Sequence, residues 1–302
     1  MNIADFVFEA AERWGARPAI TDLRGGDSLS YAELAGEVRA VGAFLRQQGV
    51  QPAQRVGLVA PNSVAYVPAA FGILAAGACL TPLPLGLAAA ETHQILHDID
   101  VNGCLSWPGA GSDAPRRAVI EEGACAGFSF EWTAREAAPP GGFARLDPAF
   151  VRFTSGTTAE SKGVILSHQA TATRAAAASA VLGLTPEDRV LWVLPLAYLF
   201  AVTLTAYVRA GLHVILGPDS NPTALVDALR SREATVLYAS PLHFERLAGL
   251  PAKKGPLPSL RLALSTTAPL AAEVAHRFEA AFGVSMGQAY GIIEAGLPCI
   301  NR

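Results

Sequence analysis

Phe153-Thr154-Ser155-Gly156-Thr157-Thr158-Ala159-Glu160-Ser161-Lys162-Gly163-Val164 is the stretch on which the reading of this chain turns. Strand-like apolar residues flank it, VRF before and VIL after. Between them lie a run of hydroxyls, a glycine and a lysine. Hydroxyls and exposed backbone amides suit phosphate oxygens, and a flexible lysine supplies a point charge for a polyphosphate. It is not a Walker A loop, because Lys162 precedes Gly163 and no second glycine stands in place. From residue types alone, a phosphate cradle and an ordinary Ser/Thr-rich turn with a solvated lysine fit equally well.

On either side, strand-like runs alternate with helical ones. Before the loop, Ser30-Tyr31-Ala32-Glu33 is a capping-box signature opening a helix with Leu34, Val38, Val41 and Leu45 on one face, ending near Gly49. RVGLVA (55–60) reads as a buried strand, Tyr66 to Ala76 as a helix and Cys79 to Leu83 as another strand. After the loop, VLWVLP (190–195), HVIL (213–216), ATVLYA (234–239) and RLALS (261–265) read as strands, with helices at Thr223 to Arg232 and Ala271 to Phe282. This alternation predicts an α/β fold with mostly parallel sheets. Pro139 to Asp147 reads as a linker, so the expected division is a first lobe over 1–145 and a second over 146–302.

Composition limits the function. The chain has 302 residues, 51% hydrophobic and only 16% charged, with a formal net charge of −3. That balance provides no basic patch for nucleic acid. Cys79, Cys104, Cys125 and Cys299 show no ligand or disulfide spacing, so reduced thiols in a cytoplasmic setting are expected. MNIADFVFEAAERWG lacks the basic start of a signal peptide and reads as an amphipathic helix. The charge-free stretches 57–90 and 190–208 are long enough to span a bilayer, yet their prolines and glycines favour alternating buried elements, so no membrane span is expected. His93 and His97 share helical spacing without a third ligand, and His168 after Ser167 reads as a surface or capping residue.

The loop's TSGTT core and Lys-Gly-Val resemble the phosphate-binding loop of the adenylate-forming superfamily: acyl- and aryl-CoA synthetases, luciferases and peptide-synthetase adenylation domains. Further landmarks follow in the family's order: LSYAEL (29–34), AAGACLTPL (75–83), LPLAYLFA (194–201), STTAPL (265–270) for the SGGAPL turn, and QAYGIIE (288–294) for YGxTE. The resemblance covers essentially the whole chain. It implies two stacked α/β lobes, the family's amino-terminal subdomains, without its β-barrel subdomain or carboxy-terminal domain.

The same resemblance implies roles. Thr154, Ser155, Gly156, Thr157, Thr158 and Lys162 would bind the phosphates of ATP. Thr267, Ala268, Pro269, Tyr290 and Gly291 would hold adenine. Tyr198, Phe200, Val202, Ser265, Thr266 and Gln288 would line the acyl pocket, and Glu294 would hold Mg2+. The implied reaction is ATP-dependent activation of a carboxylic acid as an acyl-adenylate, for transfer to CoA or an acyl-carrier protein. The block at 198–202 has no acid to pair with an α-ammonium, which points to an aryl or acyl acid. Tyr198 stands where many CoA ligases have histidine, with core packing as its alternative role.

The chain departs from the family pattern at several points. Ala159, Glu160 and Ser161 replace the usual Gly-x-Pro, Thr266 and Thr267 replace paired glycines, and Ile293 replaces a threonine that contacts the adenylate phosphate. The family's ribose-binding aspartate, hinge and catalytic lysine lie past Arg302. The expectation is therefore a truncated amino-terminal core, inactive or weakly active alone. The alternative is a non-catalytic binding or scaffold module that kept the fold.

Overall fold

The computed structural model describes residues 1–87, 89–108, 118–133, 141–154, 162–218, 221–250 and 255–301. The amphipathic opening is helix α1 (Asp5–Trp14), followed by a hairpin of β1 (Pro18–Asp22) and β2 (Ser28–Ser30). Helix α2 (Tyr31–Gln47) starts at the capping box read from sequence: the Glu33 N–H donates to Ser30 Oγ at 3.2 Å and the Ser30 N–H to Glu33 Oε2 at 2.8 Å. Then come β3 (Arg55–Val59), α3 (Tyr66–Ala75), β4 (Cys79–Leu83), α4 (Ala89–Asp98), β5 (Gly103–Ser106), β6 (Ala118–Val119) and β7 (Ser129–Trp132). The loop's flanks are β8 (Pro148–Thr154) and β9 (Lys162–Ser167). The remainder alternates: α5 (His168–Leu182), β10 (Arg189–Trp192), α6 (Leu196–Leu199), a π-helical turn (Phe200–Leu204), α7 (Thr205–Ala210), β11 (His213–Leu216), α8 (Pro222–Ser231), β12 (Val236–Ala239), α9 (Pro241–Ala248), β13 (Leu262–Ser265), α10 (Ala272–Phe282), β14 (Met286–Ile292) and β15 (Gly296–Asn301).

Among the described residues these strands form two sheets. One runs β15-β14-β13-β12-β10-β11-β1-β2 and the other β6-β7-β5-β3-β4-β8-β9. Interior pairs are parallel, whereas the outer pairs β1–β2, β14–β15, β8–β9, β5–β7 and β6–β7 are antiparallel. The expected α/β architecture with mostly parallel sheets is what the chain adopts. The charge-free stretches are broken into short strands and helices, and among the described residues no helix is long and apolar enough to cross a membrane.

A period-two side-chain pattern explains why the larger sheet is buried on both faces. Val190, Trp192, Val214, Leu216, Val236, Tyr238 and Leu264 face a core shared with α1, α2, α3, α5 and α7. Leu191, Ile215, Leu237, Ala239 and Ala263 face the opposite way, onto α8, α9 and α10. The shared core also takes Val56, Leu58, Leu80 and Phe150 from the smaller sheet, so the inner helices lie between the two sheets.

The boundary expected at 145/146 does not separate the sheets. β1 and β2 lie in the larger sheet, where Ile20 pairs with Val214, and β8 and β9 lie in the smaller one, where Phe150 pairs with Leu80. Periodicity marks a segment as strand but carries no information on which sheet edge receives it. The sequence reading of His168 is corrected. It is buried, and its Nδ1 accepts the Ile3 N–H at 3.1 Å. Burial pushes its imidazole below the usual histidine range, so the ring stays neutral and able to accept. The cap of α5 is Ser167, which accepts the Ala170 N–H at 3.1 Å.

Candidate active site

Strands β10, β12, β13 and β14 run parallel, so their carboxyl ends emerge on one side. In such sheets ligands bind outside the carboxyl ends of the strands. Of the sequence-predicted residues, Ser265, Thr266, Gln288 and the Thr267–Pro269 turn lie there, together with Tyr290 and Gly291 at the end of β14. Ser265 ends β13, with Ala239 of β12 on one side and Gln288 of β14 on the other. The Thr266 N–H donates to the Ala239 carbonyl at 3.0 Å, and Gln288 Nε2 donates to the Ala268 carbonyl at 3.4 Å. These bonds hold the Thr267-Ala268-Pro269 turn beside the end of β14, which carries Tyr290 and Gly291. Tyr290 is 60% exposed, a ring face free for stacking.

Thr267 has φ +76°, the left-handed region that a β-branched residue enters only under constraint. Glycine is the residue the backbone favours there. The strain sits in the turn where an adenine contact is expected. Buried beside it, Ser265 Oγ has no hydrogen-bond partner. An orphaned buried hydroxyl is uncommon and needs either water or a ligand to satisfy it.

The block after β10 approaches from the same side. Asn62, in the turn after β3, clamps it with both halves of its amide: Nδ2 donates to the Leu194 carbonyl at 2.8 Å, and Oδ1 accepts the Leu196 N–H at 2.8 Å. From β8, the Arg152 guanidinium donates to the Tyr198 carbonyl. Burial pushes Arg152 down to about 10, which still leaves it charged at neutral pH. Tyr198 is 51% exposed and so does not pack in the core. Phe200 does: it is fully buried against Phe71, with ring centroids 4.9 Å apart, and against Tyr66 and Phe150. It is a wall behind the block. Val202 lies in the π-helical turn, and its side chain is outside the described residues.

The phosphate loop is described only at its stems. Thr154 pairs with Lys162, the last register pair of the β8–β9 hairpin, so both backbones stand at the loop's base. Ser155, Gly156, Thr157 and Thr158 lie outside the described residues, as do Ala159, Glu160 and Ser161.

Glu294 sits in the turn between β14 and β15 and is exposed. Among the described residues no group of three or more His, Cys, Asp or Glu side chains could hold a metal. A lone exposed carboxylate does fit Mg2+, which keeps waters and binds through one or two carboxylates plus substrate phosphates. Arg174 of α5 braces this turn, donating from Nη1 to the Ile293 carbonyl at 3.1 Å and from Nη2 to the Glu294 carbonyl. Sequence reading passed over Arg174, Asn62 and Arg152. Arg174 had one visible signal, as the sole Lys, Arg, Asp or Glu within the alanine-rich 168–182.

Two sheets with helices between and outside them, and a strained turn at the carboxyl ends of parallel strands, define an α/β protein with a ligand-type crevice at that end. The chain belongs to the AMP-binding enzyme family, whose model matches residues 7–302. It is 30% identical over 285 residues to a feruloyl-CoA synthase from Amycolatopsis sp, covering 92% of this chain and 57% of that protein. In fold it is similar to a long-chain-fatty-acid-CoA ligase (FadD1) from Archaeoglobus fulgidus, with a TM-score of 0.83 and 18% identity, covering 100% of this chain and 66% of the other. It is also similar to the anthranilate CoA ligase AuaEII in complex with anthranoyl-AMP, with a TM-score of 0.82 and 21% identity, covering 100% of this chain and 62% of that one. The chain thus spans less than two thirds of each of these three proteins.

Proposed function

We propose that this chain carries the nucleotide- and acid-binding part of an ATP-dependent ligase that activates an aryl or acyl carboxylic acid as an acyl-adenylate. The observation that carries this reading is the convergence of the Ser265–Pro269 turn, Tyr290 and the Asn62-clamped block at one end of a parallel sheet. In this reading the substrate carboxylate attacks the α-phosphate and pyrophosphate leaves, and the acyl group then passes to CoA or an acyl-carrier protein. No activated protein nucleophile is required, so the protein's work is positioning and charge stabilisation.

Tyr290 stacks on adenine, Thr267, Ala268, Pro269 and Gly291 lie against it, and Tyr198, Ser265, Thr266 and Gln288 surround the acyl group. Thr154 to Thr158 and Lys162 cradle the phosphates. Glu294 carries Mg2+, which when bound neutralises phosphate charge. The missing acid at 198–202 argues against an α-amino substrate, because a buried ammonium would lack a counter-charge. The feruloyl and anthranoyl groups in the names of two similar proteins are aryl acyl groups, which supports the aryl option. A cytoplasmic setting accords with four free thiols.

The test is calorimetric titration with non-hydrolysable acyl-adenylate analogues carrying aryl, short-chain and long-chain groups. One class should bind selectively, and Tyr290→Ala should weaken it about fivefold or more, since stacking on an aromatic ring is worth about 1–3 kcal/mol. Equal binding by the Tyr290→Ala variant would refute the adenine assignment.

A further inference from the structure

Arg174 is partly buried on α5, the helix that follows directly from the second stem of the phosphate loop. Its guanidinium ends on two consecutive carbonyls, those of Ile293 and Glu294, in the turn joining β14 to β15. Its stem lies along the next part of the same turn. A Cβ added at Gly296 would come within 3.0 Å of Arg174 Cδ, and Gly296 has φ +80°, so the chain there is shaped to pass close over the arginine. A planar guanidinium can hold two acceptors in fixed geometry, which a lysine ammonium does not.

We infer that Arg174 is a positioning residue for the Glu294 carboxylate and thereby sets the divalent-cation dependence of nucleotide binding. The inference rests on the assignment of Glu294 to the cation. Arg174 acts through the backbone: it locks two successive peptide units, and the direction of the Glu294 side chain follows from them. It also ties that turn to α5, the helix that follows β9. Groups that orient a metal ligand typically change metal affinity by about 10- to 100-fold when removed.

The experiment uses two ligands on the whole chain. One is β,γ-methylene ATP titrated over a Mg2+ series. The other is a metal-independent acyl-sulfamoyl adenosine. Arg174→Met should raise the half-saturating Mg2+ concentration about tenfold or more while leaving sulfamoyl adenosine affinity within about twofold. Arg174→Lys, which keeps the charge and can reach one carbonyl, should fall between. Glu294→Gln should show at least the same Mg2+ shift, and adding Arg174→Met to it should shift nothing further. An unchanged Mg2+ midpoint in Arg174→Met beside a shifted one in Glu294→Gln would overturn the positioning role and leave the Glu294 assignment standing. An unchanged midpoint in Glu294→Gln would remove that assignment and this inference with it. Equal loss of both ligands in Arg174→Met and Arg174→Lys, or Mg2+-independent nucleotide binding by the parent chain, would also overturn it.

Discussion

Replacing Asp188 by alanine should remove about 4 kcal/mol of stability without touching ligand affinity. Asp188 lies just before β10, at the amino end of the strands and away from the candidate site, and is 2% exposed. Its Oδ1 accepts from Thr235 Oγ1 at 2.7 Å and from Arg261 Nε at 2.8 Å, and its Oδ2 accepts the Thr185 N–H at 2.9 Å. The carboxylate thereby joins the starts of β10, β12 and β13. Hydrogen bonds to a charged acceptor contribute about 1.5–3 kcal/mol each, which gives about 4 kcal/mol for the part-buried Thr235 hydroxyl and Thr185 amide together. The arginine adds at most about 1 kcal/mol, because its side chain is 40% exposed and solvent screens the pair. Burial alone would raise the Asp188 carboxyl, but hydrogen bonds from Arg261, Thr235 and Thr185 outweigh it and hold the group below its ordinary range. Its folded value is therefore below its unfolded one, so its stabilisation is complete above about pH 5 and is lost as pH falls through the folded value. Urea unfolding should show a gap between parent and Asp188→Ala that is constant above about pH 5 and shrinks in acid. Calorimetry should show unchanged affinity for the adenylate analogue. A gap below about 1 kcal/mol, or one that widens as pH falls, would refute the reasoning.

Two further substitutions test other parts of the structure. Thr267→Gly should stabilise the chain by about 1 kcal/mol, because relief of about 2 kcal/mol of left-handed strain exceeds the added unfolded-state entropy of glycine; a lower urea midpoint would show the strain is not there. His213 is held down to about 4 by burial and by nearby Arg189 and Arg232, and its Nε2 lies 2.9 Å from Thr21 Oγ1. Its neutral ring contributes stability that is complete above about pH 6.5 and falls by about 3 kcal/mol as pH drops towards 4, a loss that His213→Gln should abolish in urea titrations and whose persistence in the variant would contradict it.

Local chemistry made much of this protein legible from sequence. The Ser30–Glu33 capping box, the helix at 66–76, the strands at 79–83 and 213–216 and the cap at Ser167 depend on near neighbours, and they form where the residues indicate. The order of landmarks along the chain likewise marks the family. Tertiary structure decided what depends on distant partners. Sheet membership is one case, since β1 and β2 cross to the larger sheet and β8 and β9 return to the smaller one, and neither choice leaves a trace in periodicity. The buried state of His168 is another, because it requires the Ile3 amide 165 positions away in sequence. The supports of the site are the third: Asn62 reaches the Leu194–Leu196 backbone, Arg152 the Tyr198 carbonyl and Arg174 the Ile293–Glu294 turn. Each binds main-chain atoms, which every residue type presents alike, so no pattern of side chains along the sequence announces the pairing. Only the folded path of the chain brings those carbonyls within reach.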